Sequence, residues 1–86
     1  MMGVTILHTK LDELMTNHSD LDLHYDVSLF DDYSVFLAVS NSNGCSLFRD
    51  TVSWSMIDLS IGNISLSIDL YRDNITQKKL IKFLER

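Results

Sequence analysis

The 86-residue chain has no proline, only three glycines and a single cysteine. Without proline there is no rigid linker and no forced helix stop. So few glycines leave no glycine-rich loop to cradle a phosphate. One thiol, Cys45, cannot close an intrachain disulfide, which fits a reducing compartment, so a cytoplasmic location is expected. No stretch approaches the roughly 18–20 consecutive apolar residues of a membrane span. The N-terminal MMGVTILHTKLDEL lacks the basic region of a signal peptide. No membrane partner is expected.

Basic residues are scarce too. Seven Lys and Arg stand against twelve Asp and Glu, a net charge of −5. The imbalance is local: residues 1–69 carry −8 and residues 70–86 carry +3. Ten of the twelve acids are Asp, and five of those fall between positions 20 and 32. Such a chain repels nucleic acid, so direct nucleic-acid binding is not expected, and a basic protein surface is the favourable partner.

What is present is apolar content of 45%, enough for a stable globule. With no linker or repeat, residues 1–86 read as one domain. A chain this short buries only about 60–65% of its unfolded surface, which leaves little room for an enclosed ligand pocket beside the core.

Val4, Leu7, Leu11, Leu14 and Met15 recur at helical spacing, which favours one helix from about Thr5 to Asn17 over a short strand VTILH. Thr9 and Asp12 resemble a capping box. Leu21, Leu23, Tyr25, Val27 and Leu29 then alternate with Asp22, His24, Asp26 and Ser28, the pattern of a half-buried strand over 21–30. Asp31-Asp32 makes a tight turn. A second strand over 33–40 puts Tyr33, Val35, Leu37 and Val39 on one face and Phe36 and Ala38 on the other. Being apolar on both faces, it reads as central. Asn41-Ser42-Asn43-Gly44 is a hairpin turn, because Asn-Gly tolerates positive φ. A third strand runs from Cys45 to about Arg49.

Beyond a kink near Asp50, Val52, Trp54 and Met56 alternate, then the phase slips to Ile57, Leu59 and Ile61, as at a β-bulge. Gly62-Asn63 reads as a turn, and Ile64, Leu66, Ile68 and Leu70 as a last strand. A C-terminal helix is expected from Asn74, with Asp73 at its positive end and Lys82 and Arg86 at its negative end. The expected fold is α+β in the order α-β-β-β-β-(β)-α: a four- or five-stranded antiparallel meander with both helices on one face.

Three constellations could carry chemistry. Asp22, His24 and Asp26 share one strand face at roughly 6.6 Å intervals. Tetrahedral zinc would want a fourth ligand, commonly His or Cys, and His8 and His18 lie on or near the first helix. Cys45 has no base beside it in sequence and reads as a buried structural thiol at a strand start. Asp31-Asp32 is the one adjacent pair of aspartates, and turns favour Asp for local hydrogen bonding. No catalytic residue, metal or cofactor is assigned, and no enzymatic activity is expected.

The expected function is that of a small acidic binding protein. Asp20, Asp22, His24, Asp26, Asp31 and Asp32 would dock on the basic surface of a larger protein. Nucleic-acid enzymes present such surfaces, so an inhibitor of the toxin-immunity, antitoxin or phage anti-defence nuclease-inhibitor type is anticipated. The alternative is a homodimeric structural or chaperone-like subunit. It would associate through the hydroxyl-rich outer face of the last strands (Thr51, Ser53, Ser55, Ser60, Ser65 and Ser67) or through the edge strand, with Ser65, Ser67 and Asp69 as the self-association residues.

Overall fold

The computed structural model describes residues 2–85. Helix α1 (Met2–Asn17) leads through a short 3-10 turn (Ser19–Leu21) into strands β1 (Leu23–Leu29), β2 (Ser34–Asn41) and β3 (Ser46–Ser53). A second 3-10 turn (Trp54–Met56) opens helix α2 (Ile57–Leu84). The sheet is a three-stranded antiparallel meander in the order β1-β2-β3.

The first half follows the alternation of the sequence. Central β2 buries Val35, Leu37, Val39 and Asn41 on one side, and the residues between them lie on the other. Val35, Leu37 and Val39 form one core with Val52 of β3, Leu7 and Leu11 of α1 and Ile57, Ile64 and Ile68 of α2, so both helices cover the same face. The single first helix is borne out over the short strand. It starts earlier than the Thr9–Asp12 capping box implies, and the Thr9 hydroxyl instead donates to the Thr5 carbonyl.

Both turns have local causes. Phe30 and Asp31 N–H groups donate to the Ser34 carbonyl, at 3.2 and 3.3 Å. At the second turn Gly44 takes φ +82°, which glycine adopts without steric cost. The Asn41 carboxamide oxygen accepts from the N–H groups of Asn43 and Cys45, and its amide donates to the Tyr71 hydroxyl of α2. A buried polar side chain thus has its hydrogen-bonding partners.

The second half departs from the expected meander, and the four or five strands reduce to three. β3 runs through Asp50 without a kink. Its irregularity falls where Ser46 pairs with Ser40 and Phe48 with Val39, leaving Leu47 as the extra residue, rather than at Met56–Ile57. The expected strand 64–70 is helical, Gly62-Asn63 is no turn, and Asn74 and Asp73 lie inside α2 rather than at its start. The reason is that two periods overlap here. Ile57, Ile64, Ile68 and Ile75 fall on one helical face, and Leu59, Leu66 and Leu70 fall on the opposite one. Merged in the sequence, the two sets imitate alternation.

With 28 residues α2 is about 42 Å long, whereas a strand of eight residues spans about 26 Å. The helix therefore outruns the sheet. The molecule measures 55 × 21 × 20 Å, with a radius of gyration of 14.9 Å against about 12 Å for a compact chain of this length. Where the sheet ends, the face carrying Ile64, Ile68 and Ile75 continues as Lys78, Lys79 and Lys82, all exposed. Lys82 lies in the last turn, as expected, and Arg86 is outside the described residues. No described helix is long and apolar enough to cross a membrane.

Candidate functional site

The acidic stretch divides into residues hydrogen-bonded within the protein and exposed residues for which the structure shows no such bond. Asp20 belongs to the first group. Arg72 of α2 grips its carboxylate with two parallel bonds, Nη1 to Oδ2 at 2.7 Å and Nη2 to Oδ1 at 2.9 Å. That hydrogen-bonded pairing holds the Asp20 carboxyl below its ordinary value. Asp20 thereby ties the α1–β1 connection to α2.

Asp31 is likewise occupied. Its Oδ1 accepts from the Ser34 hydroxyl at 2.7 Å and the Tyr33 N–H at 2.8 Å. These bonds, Ser34 foremost, lower its carboxyl below the ordinary range. Its role is to fix the β1–β2 turn, an Asx-type arrangement.

Asp22, His24, Asp26 and Asp32 form the second group, and all four are exposed. The first three line the outward side of edge strand β1, with Asp22 just before the strand at φ +52°. His24 Nε2 is 3.7 Å from Asp22 Oδ1. Among the described residues no group of three His, Cys, Asp or Glu side chains is placed to hold a metal ion.

Across the sheet from Asp26 stand Ala38 of β2 and then Arg49 of β3. The Arg49 guanidinium lies over the Phe36 ring, 5.4 Å from its centroid. The outward face is thus a carboxylate row on one edge, a half-buried aromatic ring in the middle and one cation on the far strand. The apolar outer positions of β2, already visible in the sequence, mark this face as less purely wet than the Asp pattern alone implies.

The turn at the end of this face adds what the sequence reading missed. Phe30 is 68% and Tyr33 80% exposed, and Leu29 beside them is also exposed. Tyr33 was expected on the buried side of β2. Instead it precedes the strand, and its carbonyl accepts from the Trp54 N–H. Two aromatic rings thus project from a turn that Asp31 braces, next to the free carboxylate of Asp32. A sequence signal existed: Phe-Asp-Asp-Tyr sets aromatics on both sides of a two-residue turn.

Other candidates resolve differently. Cys45, expected as a buried thiol, is exposed, because the chain is still leaving the turn there and β3 starts one residue later. His8, Tyr25 and Asp12 make a clip between α1 and β1. The Tyr25 hydroxyl donates to Asp12 Oδ1 at 2.5 Å, and His8 Nδ1 lies 3.1 Å from the Tyr25 hydroxyl oxygen. Burial and the Asp12 carboxylate push Tyr25 up to about 12, so the phenol stays neutral and acts as a hydrogen-bond donor. Ser65, Ser67 and Asp69 sit on α2, so they form no strand edge. No family model matches the chain, and no curated protein and no solved structure matches it.

Proposed function

We propose that this protein is a non-catalytic binding protein, and that the outward face of β1 with the β1–β2 turn docks on a basic surface of a larger protein. The observation that carries the reading is the exposure of Phe30 and Tyr33 on either side of Asp32 in the turn, together with the exposed carboxylates Asp22 and Asp26 along β1. Aromatic rings are the side chains that anchor interfaces most often, and they lose little conformational entropy on binding. The carboxylates supply steering and partner choice rather than most of the affinity. The bonds from Tyr33 and Ser34 to Asp31 hold the turn before binding, which lowers the cost of ordering it.

Basic clefts that attract phosphates are typical of nucleic-acid enzymes. An acidic face with an aromatic tip would occupy such a cleft and exclude the nucleic acid. We therefore read the protein as an inhibitor of a nucleic-acid enzyme, of the immunity, antitoxin or anti-defence kind.

The test is affinity capture from bacterial lysate with two baits at one salt concentration, the natural chain and a variant with Asp22, Asp26 and Asp32 all changed to Lys. The reading predicts one basic protein retained by the natural chain and lost from the variant, with its nuclease or nucleic-acid-binding activity blocked by the natural chain. Equal retention by both baits removes the acidic face from the account.

A further inference from the structure

Helix α2 is apolar on two opposite sides, and the sheet and α1 account for one of them. On the other side Leu66, Leu70, Leu80 and Leu84 are between 56 and 72% exposed. From Leu59 to Leu84 the outward positions recur at alternating intervals of four and three residues, with Asp73 and Gln77 between the two leucine pairs. An amphipathic face that only meets water has no need of such spacing. A repeat averaging 3.5 residues is the one that keeps a seam facing a second helix along its length.

We propose that α2 pairs with α2 of a second copy, antiparallel, through this stripe. Antiparallel pairing about a two-fold axis at Ile75 sets Leu66 against Leu84 of the second copy and Leu70 against its Leu80, each pair occurring twice. The same register sets Asp73 against Gln77, whose amide can donate to the carboxylate. Parallel pairing would instead stack Asp73 on Asp73, a like-charge contact that destabilises the pair.

Charge on the larger scale selects the same orientation. Residues 70–86 carry +3 and residues 1–69 carry −8. Antiparallel pairing lays the basic end of each helix, Lys78, Lys79 and Lys82, along residues 66–72 of the other copy, which carry Asp69 and the Asp20-paired Arg72, whereas parallel pairing sets the two basic ends side by side. The interface is isologous and closed, so it stops at two copies.

Its size sets its strength. The overlap covers residues 66–84, about 28 Å of helix. That is a small seam beside the roughly 800 Å² per partner of a standard interface. The dimer is therefore weak, with a dissociation constant on the order of 10 μM. It uses neither the outward face of β1 nor the aromatic turn, so it stands or falls independently of the proposed function.

Sedimentation equilibrium across a wide concentration range tests it. The weight-average mass is expected to rise from the 9.9 kDa of one chain towards twice that value. Changing Leu70 and Leu80 to Lys should hold the mass at one chain throughout, with unchanged circular dichroism. Changing both to Ala, which favours helix, should raise the dissociation constant at least tenfold even if the Lys variant folds poorly. A natural chain that stays at one-chain mass at hundreds of micromolar overturns the proposal. Orientation is read by mixing a Leu70→Cys chain with a Leu80→Cys chain, both carrying Cys45→Ser, under mild oxidation. A dominant 70–80 cross-link is expected, and a dominant 70–70 cross-link overturns the antiparallel arrangement.

Discussion

Tyr25 shows how one side chain can serve both packing and pH response. Its ring packs against the core, and its hydroxyl reaches Asp12 on α1. Tyr25→Phe keeps the ring and removes the bond, so the cost should be about 1–2 kcal/mol in a urea melt at neutral pH. Because the folded phenol titrates at about 12 and the ordinary value is 10, its contribution is complete below pH 10 and is lost as pH rises through 12. The Phe variant should show a flatter alkaline stability profile than the natural chain. Asp20 works in the opposite direction. Its folded carboxyl lies below the ordinary 3.8, so the Arg72 pairing stabilises fully above that value and is lost as pH falls through the lowered one. An Asp20→Asn chain should lose less stability between pH 5 and 2 than the natural chain, and equal acid limbs would remove the ion pair from the account. At this scale the sequence was legible where a side chain obeys its strand. His24 and Asp26 face water as their alternation implies. It was not legible where a partner is distant in the chain. Nothing near Asp20 points to Arg72, 52 residues on, and nothing near Cys45 tells whether β3 starts there or one residue later.

At the scale of elements, α1 and the first two strands follow directly from periodicity, and α2 does not. A helix with water on one side carries one apolar stripe, and the sequence then shows a single period. α2 carries two. Along the sheet Ile57, Ile64 and Ile68 pack inward and Leu59, Leu66 and Leu70 face outward, and Gly62-Asn63 adds a false turn signal. The distinction between the branched and unbranched apolar sets was the available clue. Gly62 provides a sharp test of the helix. A methyl group there meets no atom within 4 Å, and Ala is better than Gly in a helix interior. Gly62→Ala should therefore stabilise the protein by about 0.5–1 kcal/mol. A turn at this position would make the same change destabilising. Ile68→Ala, at a fully buried position in the core, should cost about 2–5 kcal/mol. A cost under about 0.5 kcal/mol, typical of surface positions, would mean that the inner face of α2 is misplaced.

For the whole molecule, function follows from which surfaces are left over. The sheet has one covered face and one open face, and the open face ends in an aromatic turn. α2 has one covered face and one leucine face, on the side of the molecule away from the open sheet. Two copies joined through α2 would thus present two acidic faces outward. A partner with two basic sites would then be held more tightly than either contact alone allows. Phe30→Ala and Tyr33→Ala should each weaken partner binding by roughly tenfold or more, yet change stability by less than about 0.5 kcal/mol, because both rings are exposed. The charged row should act mainly on the rate of encounter. The most direct measurement is therefore the association rate of the captured partner with the natural chain and with the Asp22, Asp26 and Asp32 to Lys variant, followed as ionic strength is raised. The predicted result is a rate for the variant at least about tenfold lower at low salt, with the two converging as salt screens the field. Equal rates at low salt would contradict an acidic docking face.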